Sequence, residues 1–299
     1  MSAVDISGRW RLPPLRPGTA ADEELTTRRA MVAAMAGQRR EEPGVSVQRR
    51  ATGGVDGVVC RPDSGATGVI VHFHGGGYRL GSAAGSAAFG TRLAAATGWS
   101  VVLPDYRLAP EHPFPAALHD AAAVYDAVVA SESGAVVVSG DSAGGGLGVA
   151  LVVAALEAGV RAPDGLVLFS PWVDLGVTGS SFTTRAAADQ LFSRDAAQAA
   201  AAGYLQGVDP RQPLASPLWA DLAGVPPTLL FAALDEVLLD DAVALATALA
   251  HAGVAVQAHF VAGVQHVWPT VFPDLRESAA AVAAVSRFLS SLTALNPPK

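Results

Sequence analysis

The segment from residue 135 to residue 158 constrains the fold of this 299-residue chain more than any other. It begins with the apolar run Ala135-Val136-Val137-Val138-Ser139, continues through Gly140-Asp141-Ser142-Ala143-Gly144, and ends with apolar residues at helical spacing. The first part predicts a buried parallel strand and the last part predicts a helix. The glycine-containing motif between them predicts a sharp turn with Ser142 at its tip. Such a turn presses the residues two before and two after the serine against neighbouring backbone, so both must lack a Cβ atom. Gly140 and Gly144 meet that demand.

Strand and helix patterns alternate along most of the chain, as in a mostly parallel central sheet with helices on both faces. Besides 135–139, strands are predicted at 55–60, 68–73, 99–104, 165–170, 227–234 and 254–261. Helices are predicted near 86–97, 114–130, 145–158 and 237–252, with a last helix towards the C-terminus. The sequence therefore predicts the α/β fold class.

Two segments fall outside this alternation. Residues 1–45 contain one predicted helix, Asp22–Ala36, and residues 176–213 form an alanine-rich helical insertion between two strands. Because parallel sheets bind ligands beyond the carboxyl ends of their strands, an insertion there would cover the ligand. We therefore expect both segments to form a cap over a core made of 46–175 and 214–299. The apolar residues expected in this cap are Trp10, Phe182, Leu191, Phe192, Tyr204 and Leu205.

A second glycine-rich motif, His74-Gly75-Gly76-Gly77, precedes the serine motif in the chain. Its flexible backbone can turn N–H groups toward an anion. A serine on a strained turn and a set of backbone donors are the groups that acyl transfer requires: a nucleophile, and partners for the charge that develops on the attacked carbonyl oxygen.

Three motifs in this order resemble a known family. They are His74-Gly75-Gly76-Gly77-Tyr78, Asp105-Tyr106-Arg107-Leu108-Ala109-Pro110-Glu111 and Gly140-Asp141-Ser142-Ala143-Gly144-Gly145. Together they resemble the hormone-sensitive-lipase family of α/β-hydrolases, in particular its bacterial esterases, from about residue 55 to the C-terminus. The resemblance implies an α/β-hydrolase fold with a helical cap and a serine esterase that hydrolyses short- to medium-chain carboxylic esters. Its partner would be a small-molecule ester, and no cofactor is expected.

Ser142 needs a general base, which in α/β-hydrolases follows the serine in the chain. Three histidines satisfy that order. His251 belongs to a predicted helix or its end, and His259 lies inside a predicted strand. His266 follows that strand on a loop opened by Gly263, where it is free to reach the nucleophile, so we predict His266 as the base.

The base in turn needs a carboxylate that orients it. Asp235 comes directly after the predicted strand 227–234, whose carboxyl end faces the edge where Ser142 emerges. We predict Asp235 as this acid and keep Glu236 as its main rival. Asp240 and Asp241 should lie in the helix that follows.

The oxyanion donors follow from both glycine motifs. The N–H of Ala143, directly after the nucleophile, is one donor. The resemblance adds the N–H groups of Gly76 and Gly77, with Gly75 shaping the turn; the sequence alone does not choose two glycines out of three. His74 is expected to orient this loop. Trp268 stands where the family commonly has phenylalanine, two places after the histidine, which implies a change in pocket shape.

Composition limits the other classes of function. The net charge of −7 and the single cysteine, Cys60, indicate neither a nucleic-acid partner nor a disulfide framework, and no metal-ligating cluster is apparent. Neither a secretory leader nor a membrane-length apolar stretch is recognised, so a cytoplasmic location is expected.

A lactonase or amidase would use the same residues, and a non-catalytic receptor on a hydrolase scaffold is the alternative from another class. A homodimer through the edge strand 254–261 is a further expectation.

Overall fold

The computed structural model describes residues 9–36 and 40–295. Its strands are β1 (Val45–Arg49), β2 (Gly57–Pro62), β3 (Gly68–Phe73), β4 (Ser100–Pro104), β5 (Ala135–Asp141), β6 (Gly165–Phe169), β7 (Thr228–Ala233) and β8 (Val256–Val261). In the described chain they form one sheet in the order β1-β2-β4-β3-β5-β6-β7-β8. Strand β2 is antiparallel to both β1 and β4, and the pairs from β4 to β8 are parallel. The predicted α/β class with a mostly parallel sheet is confirmed.

Helices cover both faces of the sheet. They are α1 (Glu23–Ala36), α2 (Ala83–Thr97), α3 (Ala116–Ser131), α4 (Ala143–Ala158), α5 (Ser181–Thr184), α6 (Arg194–Leu205), α7 (Leu239–His251), α8 (Trp268–Val271) and α9 (Arg276–Leu295). Because successive side chains of a strand point to opposite faces, Ile70 of β3 packs in one apolar cluster with α2 and α9, and Val71 packs in the other with α3, α4 and α7. Within the described ranges, no helix combines the length and apolar character that crossing a membrane would take.

The sequence patterns do not predict strand β1. Its side chains are only half-buried or exposed, as expected at the edge of a sheet, so its sequence shows no continuous apolar run. Its pairing with β2, from Val45 opposite Pro62 to Arg49 opposite Val58, extends the sheet beyond the predicted set.

The parallel strands bring together residues that are far apart in sequence. Strand β3 ends just before His74, β5 ends just before Ser142, β7 ends two residues before Asp235, and the loop after β8 carries His266. Because the carboxyl ends of parallel strands share one edge of the sheet, all four loops meet there.

Parts of the two segments outside the α/β alternation pack against the α/β core. In the N-terminal segment, Trp10 packs edge-on against Tyr125 of α3, and its indole N–H donates to Asp126 Oδ2 over 2.7 Å. The expectation that Trp10 lines the cap is therefore wrong, because these contacts fix it to a helix of the core. The inserted segment contains α5 and α6, and Ala200 of α6 lies close to Gly77 of the glycine motif.

Candidate active site

Ser142 occupies a strained turn between β5 and α4. Its φ of 52° and ψ of −121° are a conformation that costs a residue with a side chain about 1–3 kcal/mol. A Cβ atom on Gly140 would lie 2.2 Å from the carbonyl oxygen of Gly144, and one on Gly144 would lie 2.0 Å from that of Phe73. Only glycine fits at either position, as the sequence predicts.

His266 lies within hydrogen-bond reach of the serine. Its Nε2 is 3.0 Å from Ser142 Oγ, and both side chains are buried. The loop that carries the imidazole is held in place because the N–H of Val267 donates to Ser170 Oγ over 3.1 Å. The structure thus brings together the predicted nucleophile and the predicted base.

The carboxylate next to His266 belongs to Glu236. Glu236 Oε2 lies 3.0 Å from His266 Nδ1, and the glutamate is fully buried. Asp235 is half-buried and points away, and its Oδ2 accepts a hydrogen bond from the N–H of Gly263 over 3.0 Å. The predicted contact between Asp235 and the base is therefore wrong. Strand β7 ends at Ala233, and in the turn that follows, the two acidic side chains point in different directions, with only the glutamate directed at the imidazole.

Charges around His266 favour its protonated form. Burial by itself lowers the pKa of His266, but the hydrogen bond and charge of Glu236, with added charge from Asp189 and Asp141, raise the pKa above the ordinary value of 6.5. Because Glu236 accepts from Nδ1, the neutral ring carries its proton there and leaves Nε2 free to accept the hydroxyl proton of Ser142.

The predicted oxyanion donors come from the glycine motif after β3 and from Ala143, the first residue of α4. Among the described residues, none accepts a hydrogen bond from the N–H of Gly76, Gly77 or Ala143. Gly75 lies against the nucleophile, since a Cβ atom placed on it would be 3.2 Å from Ser142 Cβ. Unpaired backbone N–H groups next to a nucleophile are suited to bind a developing negative charge.

His74 contacts the glycine loop and not the reacting serine. Its Nδ1 donates to the carbonyl oxygen of Gly75 over 2.8 Å, and its ring stacks on Tyr106 at a centroid distance of 4.3 Å. The Tyr106 hydroxyl donates to the carbonyl oxygen of His74 over 2.6 Å. Burial lowers the pKa of His74 and favours the neutral ring. These contacts place His74 where it can orient the glycine loop.

A cavity of about 490 Å³ opens beside His266 and the glycine loop. It is lined by both segments expected in the cap: α1 contributes Val32, Ala33 and Met35, and the insertion contributes Leu191. Val267 and Val271 line it from the core. The described part of the chain contains no group of three or more His, Cys, Asp or Glu side chains that could hold a metal ion.

His72, which the sequence motifs do not single out, also lines the cavity. It lies at the end of β3 and is almost fully buried, with Nδ1 3.0 Å from Ser139 Oγ and Nε2 3.2 Å from Asp141 Oδ1. In the sequence, His72 falls in the predicted buried strand 68–73, and no local pattern marks it as a cavity residue.

Trp268 lies away from the cavity. It is fully buried and meets Phe231 of β7 edge-on at a centroid distance of 6.4 Å. The expectation that it shapes the pocket is wrong, because its side chain packs into the core beneath the histidine loop.

The sheet, the strained serine turn and the hydrogen-bonded series Ser142–His266–Glu236 define an α/β-hydrolase. In agreement, the model of the alpha/beta hydrolase fold family matches residues 70–270. The chain is 41% identical over 226 residues to an acetyl-hydrolase of Streptomyces hygroscopicus, covering 75% of this chain and 76% of the relative. It is 34% identical over 255 residues to an esterase of Acinetobacter venetianus, covering 84% of each chain.

A solved esterase of the bacterial hormone-sensitive lipase family superimposes with a TM-score of 0.87 at 36% identity, covering 92% of this chain and 93% of the other. The chain belongs to this hormone-sensitive lipase family of the α/β-hydrolase fold.

Proposed function

We propose that this protein is a serine carboxylesterase that hydrolyses short- to medium-chain carboxylic esters through an acyl-serine intermediate. The observation that carries the proposal is the hydrogen-bonded series Ser142–His266–Glu236, with 3.0 Å at each step. The names of the relatives, esterase and acetyl-hydrolase, support ester hydrolysis. A non-catalytic receptor would gain nothing from a strained serine paired with a histidine.

Acylation begins when Ser142 Oγ attacks the ester carbonyl carbon and His266 Nε2 takes the hydroxyl proton. Glu236 stabilises the imidazolium that forms by accepting the hydrogen bond from Nδ1, and does not itself become protonated. The carbonyl oxygen becomes negative and is bound by the N–H of Ala143 with those of Gly76 and Gly77. One such donor is worth about 3 kcal/mol in the transition state.

The tetrahedral intermediate then breaks its bond to the alcohol oxygen. His266 gives its proton to the departing alkoxide, which leaves as the alcohol, and the acyl group stays on Ser142. Water next attacks the acyl carbon while His266 takes a proton from it. When the bond to Ser142 Oγ breaks, that proton returns to the serine, the carboxylic acid leaves, and the enzyme is restored.

The cavity supports a substrate of limited size. A volume of about 490 Å³ lies at the small end of the range for ligand pockets. The apolar side chains from α1, the insertion and α8 suit an uncharged acyl or alcohol group. The relative named acetyl-hydrolase favours short acyl groups for this chain as well.

Turnover of p-nitrophenyl esters from acetate to long-chain acyl groups tests the proposal. We expect the highest kcat/KM with short acyl groups and a steep fall once the chain exceeds the cavity. Lactones and anilides assayed in parallel separate the lactonase and amidase alternatives. A purified protein that cleaves lactones or amides but none of the p-nitrophenyl esters would contradict the proposal.

The pH dependence of kcat/KM should follow the protonation of His266. The base must be neutral to accept the proton of Ser142, so activity rises as the pH passes through the pKa of His266 in the free enzyme. Since that pKa is raised above 6.5, we expect the acid limb to have its midpoint above pH 6.5. A pH–rate profile of p-nitrophenyl acetate hydrolysis measures this midpoint. A midpoint near pH 4–5 would instead indicate a carboxylate as the base.

The homodimer and the cytoplasmic location stay predictions. Strand β8 lies at the end of the sheet and leaves most of its side chains exposed, including Phe260 at 37%. An open edge of this kind can pair with the same strand of a second copy. We expect light scattering to give the mass of a dimer, and Phe260→Lys to shift it toward the monomer. A monomer at working concentration would contradict this arrangement.

A further inference from the structure

Residues 188–192 of the inserted segment contact two loops of the site: the loop that carries Glu236 and the loop that carries His266. The N–H of Gln190 donates to Gln265 Oε1 over 2.9 Å, and Gln265 Nε2 donates to the carbonyl oxygen of Ala188 over 3.2 Å. Gln265 directly precedes His266. Residues 188–192 are therefore fixed to the loop of the base from both sides of Asp189.

Asp189 joins this stretch to the loop of the acid. Its side chain is buried, with 8% of its surface exposed. Oδ2 accepts a hydrogen bond from the N–H of Val237 over 2.9 Å, and Val237 is the residue directly after Glu236. The Asp189 carboxylate thus holds the main chain at Val237. The position of this residue in turn determines where the neighbouring Glu236 side chain points.

The other carboxylate oxygen of Asp189 determines the position of a ring on the base. Oδ1 accepts hydrogen bonds from the N–H groups of Leu191 and Phe192, each over 2.9 Å. The Phe192 ring stacks on the His266 imidazole at a centroid distance of 5.8 Å and an angle of 15° between the planes. An imidazole packed in this way has less freedom to rotate away from Ser142.

Charge gives Asp189 a second effect on the base. The acidic groups that act on His266 come from three elements: Glu236 from the loop after β7, Asp189 from the insertion, and Asp141 from the end of β5. Each favours the imidazolium over the neutral ring. Asp189 does so without touching the imidazole or the reacting atoms.

We propose that Asp189 is a positioning residue for the hydrolytic reaction, which holds Glu236 and His266 in their relative positions through Val237 and Phe192. The proposal rests on the proposed function. It assigns the inserted segment a part in forming the catalytic site, in addition to covering the cavity.

Asp189→Asn tests the proposal, because asparagine keeps the size of the side chain but removes its charge and one acceptor. We expect kcat for p-nitrophenyl acetate to fall about tenfold, the effect of losing one charged hydrogen bond. KM should change little. The acid limb of the pH profile should move to lower pH, because the pKa of His266 falls when a nearby negative charge is lost. Asp195→Asn, an exposed residue of the same segment, is the matched control for charge.

The second readout is the rate at which a fluorophosphonate labels Ser142, which requires the activated serine but no ester turnover. Asp189→Asn should slow labelling and shift its pH midpoint downward. If the variant only melts at a lower temperature, with the wild-type labelling rate and midpoint per folded molecule, the proposal is overturned. If it fails to fold, Phe192→Leu decides: we expect slower labelling, and an unchanged rate would contradict the proposal.

The two hypotheses fail differently. A wild-type protein that is labelled at Ser142 but hydrolyses no ester contradicts the proposed function, and the labelling comparison still decides the role of Asp189. Ester hydrolysis by the wild type, with Asp189→Asn unchanged in rate and pH midpoint, contradicts the role of Asp189 alone. A wild type that is neither labelled nor active contradicts both.

Discussion

Replacement of Ser142 by alanine is expected to lower kcat for p-nitrophenyl acetate by about five to six orders of magnitude, because the members of a triad act as a unit. Without Oγ no acyl-enzyme forms, and His266 has no hydroxyl to deprotonate. The residual rate should be that of water attacking an ester held in the cavity by the backbone donors. The measurement is turnover at saturating ester, with fluorophosphonate labelling to exclude a trace of wild-type enzyme.

The fold should survive this change. Alanine differs from serine only by the missing hydroxyl, and the strained backbone at position 142 is held by hydrogen bonds of its own N–H and carbonyl groups to Phe169, Gly146 and Trp172. Ser131→Ala, on the exposed end of α3, is the control. A Ser142→Ala variant that keeps more than about one hundredth of wild-type kcat would show that another group attacks the ester.

The parts of the site that the sequence predicts are those with a strict local constraint. Gly140 and Gly144 follow from the lack of room for a Cβ atom beside the serine, and the structure shows that lack of room directly. His266 follows from chain order and from its place on a loop after the last strand. Each of these inferences needs only the immediate neighbourhood of one residue and the direction of one strand.

The choice between Asp235 and Glu236 depends on information of a different kind. The two residues are adjacent, and both follow the same strand. Which carboxylate meets the imidazole depends on how the main chain turns after Ala233, and that turn is held partly by Asp189, which lies in a distant part of the sequence. No local pattern carries this information.

Strand β1 and Trp268 illustrate the same limit. β1 forms because a partner strand, β2, offers an open edge, and its own residues have no marked apolar pattern. Trp268 follows the histidine closely in sequence, yet its ring packs against Phe231 in the core. Proximity in sequence to a functional residue is therefore weak evidence for a place in the cavity.

Glu236→Gln is expected to lower kcat by about three to four orders of magnitude, whereas Asp235→Asn should change it no more than a few-fold. A neutral amide no longer stabilises the imidazolium, and its NH₂ group can turn toward Nδ1 and place the ring proton on Nε2, facing Ser142. Because the charge and hydrogen bond of Glu236 raise the pKa of His266, the remaining activity should have its acid limb at lower pH. The measurement is the pH profile of p-nitrophenyl acetate hydrolysis for both variants.

Asp235→Asn is the matched control for Glu236→Gln, because it makes the same change from carboxylate to amide one residue away. Asparagine can still accept the hydrogen bond that Asp235 takes from the N–H of Gly263, so the loop before His266 should keep its shape. Thermal melting of both variants shows whether either loss of activity is a loss of fold. If Asp235→Asn loses activity as severely as Glu236→Gln while staying folded, the loop after β7 rearranges in solution and Asp235 also contributes to orienting His266. If only Asp235→Asn is inactive, the assignment of Glu236 is refuted.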